Sequence, residues 1–164
     1  MGQLDGWRFC PRCAAELAGD RDRVECAACG FIAYANSAPA ACAVVEDDEG
    51  RILLGRRAWE PYQGMWDLPG GFLGETEDPL DALRRELREE TSLEIEPIEW
   101  LGTYLVPYDG RTVLNLVWRA WVVSGEPHSA DDVSELRWFA RDELPPLDEI
   151  AMGEAVAAWL ERPR

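Results

Sequence analysis

The chain of 164 residues carries 32 acidic side chains against 16 basic ones, every basic residue an arginine, and its formal net charge is −16. Such a field repels polyanions, because duplex binding is driven by neutralising phosphates and releasing their counterions; a nucleic-acid duplex is therefore a poor candidate for a broad ligand, while a small phosphorylated molecule held through metal ions remains a fit. Hydrophobic residues at 47% and charged residues at 29% describe a globular chain with room for one ordinary domain and a small appendage. No apolar run approaches the roughly 20 residues of a membrane span, and the start MGQLDGWRFC lacks a basic-then-apolar leader, so a soluble, cytoplasmic protein without a membrane partner is expected.

From the N-terminus, residues 7–34 hold four of the five cysteines and little apolar periodicity, so this stretch cannot bury a core and needs a staple. Cys10-Pro-Arg-Cys13 and Cys26-Ala-Ala-Cys29 lie twelve residues apart, near the two-knuckle spacing that wraps four thiolates around a tetrahedral Zn²⁺. A redox pair is the competing reading, but two CxxC units in a coreless segment favour structural zinc. A closed four-cysteine site has no open coordination position, so this metal would fold a zinc ribbon and not serve as a catalytic centre. The ribbon could also dock a partner, cap a site or form a homodimer surface. Four arginines against five acids in residues 1–32 give it no basic patch.

Strand-like runs follow at Ala40–Glu46, Arg51–Arg57, Trp66–Leu73, Glu94–Val106, Thr112–Val123 and Ser134–Ala140, with Asp47-Asp48-Glu49-Gly50 as a hairpin turn. Cys42 sits on an apolar strand and reads as a core thiol. One strongly helical segment runs from Pro79 to Thr91, with Asp78 as N-cap and Pro79 in the first turn. A second helix is expected over Glu149–Glu161, covering the sheet with Ile150, Ala151, Ala155, Ala158 and Trp159.

The first helix divides its surface into three. Leu80, Leu83 and Leu87 form an apolar stripe, Glu86, Glu89 and Glu90 an acidic one, and Arg84, Arg85 and Arg88 a basic one. Carboxylates at i, i+3 and i+4 repel one another, and a divalent cation would relieve that repulsion. The bland alternative is a solvated face laced by Glu–Arg pairs. Gly70 and Gly71, after Leu68-Pro69, argue against it, since glycine lets a carbonyl or ligand approach closely and so lets loop and helix form one concave site.

Gly71, Glu77, Arg85, Glu86, Leu87, Glu89, Glu90 and Leu93 fall at the spacings of the pattern G-x5-E-x7-R-E-U-x-E-E-x-G-U, and in these residues the chain resembles the Nudix hydrolase family. The flanks Leu53-Leu54-x-Arg56-Arg57 and Gly64-x-Trp66-x-Leu68-Pro69 are similar to it too. One fixed position departs: Ser92 replaces glycine at the helix end, which implies an altered C-terminal turn. Gly74 and Thr76 stand where relatives often carry Glu and Gly, removing an accessory carboxylate. The resemblance implies an α/β fold, the Nudix α/β/α sandwich around a mixed sheet, over residues 37–164, preceded by the zinc ribbon in residues 1–36.

The same resemblance implies an enzyme that cleaves a diphosphate linkage in a small nucleotide-like substrate. Glu86, Glu89 and Glu90, with the carbonyl of Gly70, would bind Mg²⁺ or Mn²⁺, while Glu77 and Arg85 would hold the Gly71 loop on the helix. Glu90 is the first choice of general base and Glu135 the second, although a surface acid near a strand start explains Glu135 as well; His128 reads as a loop residue. The cysteine segment is similar to that of NADH pyrophosphatases, yet their SQPWPFPxS run is replaced by Gly102-Thr103-Tyr104-Leu105-Val106-Pro107-Tyr108. Pro107 stands near the proline of ADP-ribose hydrolases, so ADP-ribose or a nucleotide sugar is favoured over NADH, nucleoside triphosphates and dinucleoside polyphosphates. Trp59, Tyr62, Trp66 and Tyr104 are the aromatic candidates for stacking on a base. A nucleotide sensor without catalysis is the rival, and such a sensor would be expected to have lost box carboxylates, all of which are present.

Overall fold

A computed structural model describes residues 2–162; residues 1, 163 and 164, the outer ends of the two expected domains, lie outside the described residues. The chain divides into two compact units, one of residues 1–38 with 107–113, the other of residues 39–106 with 114–164.

In the first unit, β1 (Ala18–Gly19), β2 (Arg23–Glu25) and β3 (Ile32–Tyr34) form an antiparallel sheet in that order, which the local pattern did not reveal. Apart from the cysteines its buried apolar side chains are few, Leu4, Val24 and Val113 among them, so side-chain burial alone supplies little stability.

The second unit is built on a mixed seven-stranded sheet. Its main path runs β10 (Val133–Phe139), β5 (Ile52–Arg57), β4 (Ala38–Glu46), β9 (Arg111–Ser124), β8 (Glu94–Tyr108), with β6 (Trp66–Asp67) paired to β5 and β7 (Gly70–Phe72) to β4. The turn between β4 and β5 closes as read from the sequence, Asp47 accepting at its carbonyl from Gly50 N. Side chains of β4 alternate between two clusters. Cys42 and Val44 face one, with Ile52, Leu54, Val117 and Trp159; Ala41, Ala43 and Val45 face the other, with Leu53, Leu83, Leu87 and Ala120. Strands covered on both faces read as unbroken apolar runs, as AACAVV and ILL do. The first cluster is closed by α2 (Gly153–Leu160) and the second by α1 (Pro79–Thr91), giving the α/β/α sandwich.

Two expectations are corrected. The run Trp66–Leu73 is not one strand: Pro69 has no N–H for a ladder and Gly70 takes a φ of 145°, so the chain leaves β5 at Asp67 and pairs with β4 from Gly70 onward. The last helix begins at Gly153 and not at Glu149. Leu147–Glu149 form a 3-10 turn, and Ile150 is extended so that Ala151 N donates to Trp66 O at 2.8 Å, a tertiary bond that takes these residues out of the helix. Among the described residues no helix is long and apolar enough to cross a membrane.

Candidate active site and cysteine cluster

Helix α1 starts where its caps dictate. Asp78 is extended and its side chain accepts from Leu80 N at 2.9 Å, with Pro79 in the first turn. It ends at Ser92, whose φ of 62° is left-handed and whose N–H reaches Arg88 O at 3.0 Å. The turn is thus the one glycine would make, kept by a serine at a conformational cost, and not the altered turn expected. The last carbonyls of the helix, those of Glu90 and Thr91, accept from Ala130 N and His128 N, which laces the 126–131 loop onto the helix end. His128 is exposed, as a loop residue.

The loop ahead of the helix is drawn against it by Arg85. Its guanidinium forks onto Glu77, Nε to Oε1 and Nη2 to Oε2 both at 2.8 Å, and Nη2 also reaches Phe72 O at 3.2 Å. Glu77 in turn accepts from Gly74 N at 2.9 Å, and these bonds hold its carboxyl down at about 2, the Arg85 fork being the largest cause. The remaining Arg85 nitrogen, Nη1, bonds both Glu86 Oε1 at 2.7 Å and Glu89 Oε2 at 3.1 Å. Gly71 leaves the space this requires: a Cβ there would sit 2.4 Å from the Glu86 carboxyl carbon. Glu86 is half-buried, and burial, opposed by Arg85, raises its carboxyl above the usual range.

Glu90 behaves differently. It is 6% exposed and accepts from Gly70 N at 2.9 Å. Burial pushes its carboxyl up to about 9; the Gly70 N–H opposes this, and the neighbouring Asp132 carboxylate adds to it. Asp132, with Asp67, Arg57 and Gly70, lines one small cavity with Glu90. Arg57 stands 3.4 Å from Asp67, 3.8 Å from Asp132 and donates to Pro61 O at 2.9 Å, while Ala58 N donates to Asp132 O at 2.7 Å. Burial likewise raises Asp67, to about 6, against the pull of Arg57. Glu135 lies on β10 opposite Arg56, ion-paired with it at 3.6 Å and half-exposed; the acid beside Glu90 is Asp132, three residues earlier. Sequence reasoning missed Arg57, Asp67 and Asp132 as one group, and a periodic pattern offers no signal for side chains gathered from three separated segments.

This donor set suits a hard cation. Glu90 and Asp132 share their cavity with the Gly70 N–H and with one guanidinium, Arg57, which is divided between Asp67 and Asp132, and the carboxylate oxygens gathered here are the donor type that Mg²⁺ or Mn²⁺ coordinates.

In the ribbon each CxxC unit closes the same turn. Cys10 N donates to Ala15 O and Ala14 N to Cys10 O; Cys26 N donates to Phe31 O and Gly30 N to Cys26 O. The residue after each second cysteine is left-handed, Ala14 at φ 60° and Gly30 at 72°. The four Sγ atoms fall within 4.8 Å of one another, with Cys10–Cys29 at 3.6 Å and Cys13–Cys26 at 3.5 Å. Those spacings are far beyond a disulfide bond and near the edge of about 3.8 Å expected for a tetrahedron with metal–sulfur bonds of about 2.3 Å. Burial opposes ionisation of Cys10, but N–H donors from Arg12 and Cys13 outweigh it and bring the thiol down to about 7. Among the described residues this is the one set of three or more such ligand atoms gathered so tightly.

Residues 36–159 match the family model described as the NUDIX domain. The chain is 30% identical over 143 residues to the NAD-capped RNA hydrolase NudC of Pseudomonas aeruginosa, covering 85% of this chain and 50% of that one. It is 36% identical over 116 residues to the ADP-ribose pyrophosphatase of Methanocaldococcus jannaschii, covering 70% and 68% respectively. The chain therefore spans about half the length of the NudC relatives it matches. Among solved structures, a NUDIX hydrolase from Nitrosomonas europaea superposes with a TM-score of 0.79 at 26% identity, over 94% of this chain and 90% of that one. With the box helix, its glycine loop and the sandwich all in place, the chain belongs to the Nudix family.

Proposed function

We propose that the protein is a Mg²⁺- or Mn²⁺-dependent hydrolase of a diphosphate linkage in a nucleoside diphosphate derivative, ADP-ribose or a nucleotide sugar being favoured. The observation that carries this reading is the box helix bound to its glycine loop: Glu90 accepts from Gly70 N, Glu86 fills the space beside Gly71, and Arg85 fastens Glu77 of the loop to Glu86 and Glu89 of the helix. Glu86, Glu89 and Glu90, with the Gly70 carbonyl, would hold the ion, which when bound supplies Lewis acidity toward the diphosphate oxygens and acidifies water at neutral pH. Glu90 would take the proton of the attacking water with its carboxylate kept ionised by the bound cation, a role supported by its burial in one small cavity with Asp132. Asp67 and Arg57 line the same cavity.

In the ribbon, Cys10, Cys13, Cys26 and Cys29 would bind Zn²⁺ as a folding staple. Similarity to proteins named NAD-capped RNA hydrolases favours a second substrate class, NADH and NAD-linked ends, over nucleoside triphosphates. The test is product release from a panel of ADP-ribose, nucleotide sugars, NADH, NAD-capped RNA and nucleoside triphosphates, with Mg²⁺ and with chelator. Metal-dependent turnover of one class supports the reading and names the substrate. Tight binding without turnover anywhere in the panel would replace it with a nucleotide sensor.

A further inference from the structure

Four aromatic side chains flank the box, and the structure separates them. Trp66 packs edge-on against Phe139 with ring centroids 5.0 Å apart, and Tyr104 lies against the same apolar cluster, so both rings are committed to the core. Tyr62 is half-buried. Trp59 is 66% exposed.

An exposed tryptophan on a loose loop would carry little meaning, but the 58–65 loop is tied at both ends and in its middle. Arg57 N donates to Met65 O, Gly64 N to Arg57 O and Met65 N to Tyr62 O, at 2.9–3.0 Å. Side chains add to this: Arg56 Nε bonds Gly64 O, Arg57 Nε bonds Pro61 O and Gln63 Nε2 bonds Ala58 O, each at 2.9 Å. The neighbour of Trp59 is Ala58, whose N–H holds the carbonyl of Asp132, and the Asp132 carboxylate faces Glu90. Trp59 is therefore one residue from backbone hydrogen-bonded to Asp132, a lining residue of the acidic cavity, on a loop braced by these bonds. A rigid, exposed aromatic face is what a planar heterocycle needs, since stacking then costs little further ordering.

We infer that Trp59 is a specificity residue, its indole stacking on the base of the nucleoside diphosphate substrate while Arg57 fixes the loop that presents it. The inference rests on the reading of the site as one for nucleoside diphosphate derivatives. It places recognition of the base on the loop after β5, and recognition of the diphosphate on α1.

The test is the affinity of the full-length protein for ADP, measured by calorimetry in Mg²⁺ for the wild type, Trp59→Ala and Trp59→Phe, with inorganic pyrophosphate as a probe that has no base. Loss of a stacking partner is expected to weaken ADP by about tenfold or more in Trp59→Ala, with Trp59→Phe regaining most of it. Pyrophosphate affinity should be the same in all three. ADP affinity within twofold of wild type in Trp59→Ala, equal loss for ADP and pyrophosphate, or no ADP binding to the wild type would each overturn the inference. Its failure is distinguishable from failure of the hydrolase reading: Trp59-dependent ADP binding with no turnover of any diphosphate sinks the hydrolase alone, and turnover with Trp59-independent ADP affinity sinks the stacking role alone.

Discussion

The two ligand sets of this protein are held by opposite means. The four thiols of the ribbon are brought within 4.8 Å of one another by backbone turns, Cys10–Ala15 and Cys26–Phe31, with barely any apolar core behind them. The box glutamates stand on a helix whose packing is secure, and their carboxylates are held by charge and hydrogen bonding: Arg85 collects Glu86 and Glu89, while the Gly70 N–H holds Glu90. Neutral thiols can crowd without repulsion, whereas carboxylates at helical spacing need a counter-charge. The lesson is that a metal site can be built into the chain's path or into its charge balance, and the two should fail differently.

The largest effect should appear in the ribbon. Zinc binding in small cysteine sites is worth roughly 10–16 kcal/mol of apparent free energy that is also folding free energy. Cys26→Ser, or strong chelation, is therefore expected to abolish amide protection across residues 10–34 while α1 keeps its own, as read by hydrogen exchange. Retained protection in the ribbon would mean that its turns need no staple.

Next comes the box. Glu90→Gln should lower turnover by about 100-fold or more, the scale of a lost general base, with the fold intact by circular dichroism. Glu135→Gln, which breaks only a half-exposed pair with Arg56, should stay within about threefold. The opposite ranking would shift the base to Glu135. Arg85→Lys keeps the charge but cannot fork onto Glu77 and reach Glu86 and Glu89 at once, and a drop of about 10- to 100-fold is expected, with a higher Mg²⁺ requirement. An unchanged Mg²⁺ dependence would show that the carboxylates do not rely on Arg85 for their arrangement.

The smallest effects lie at two left-handed residues, one in each region. Ser92→Gly and Ala14→Gly each relieve a strained φ and should stabilise by about 1 kcal/mol, the first in global denaturant unfolding and the second in the local opening of the ribbon. Destabilisation in either would show that its side chain makes a contact worth more than the strain.

Much of this architecture is legible in the residues themselves. The helix Pro79–Thr91 follows from its caps and stripes, and the burial of β4 and β5 on both faces follows from their apolar runs. What could not be read depends on contacts distant in the chain. The bond from Ala151 N to Trp66 O delays α2, and the shift of partner at Leu68-Pro69 splits a strand in two. The acidic stripe identified the box glutamates, yet nothing local shows that Glu90 is buried while Glu89 is exposed, or that Asp132 is the acid brought beside Glu90. Those facts belong to the 126–131 loop crossing the helix end.

The alternation of β4 also limits how the chain can change over evolutionary time. Each residue from Ala41 to Val45 serves a different helix from its neighbours, so one inserted or deleted residue would exchange the two clusters and set Cys42 and Val44 where small alanines now let Leu83 and Leu87 approach. Substitutions that keep volume can drift through this strand, but its length is frozen, and variation in length has an outlet only beyond it, at the exposed turn of Asp48-Glu49-Gly50.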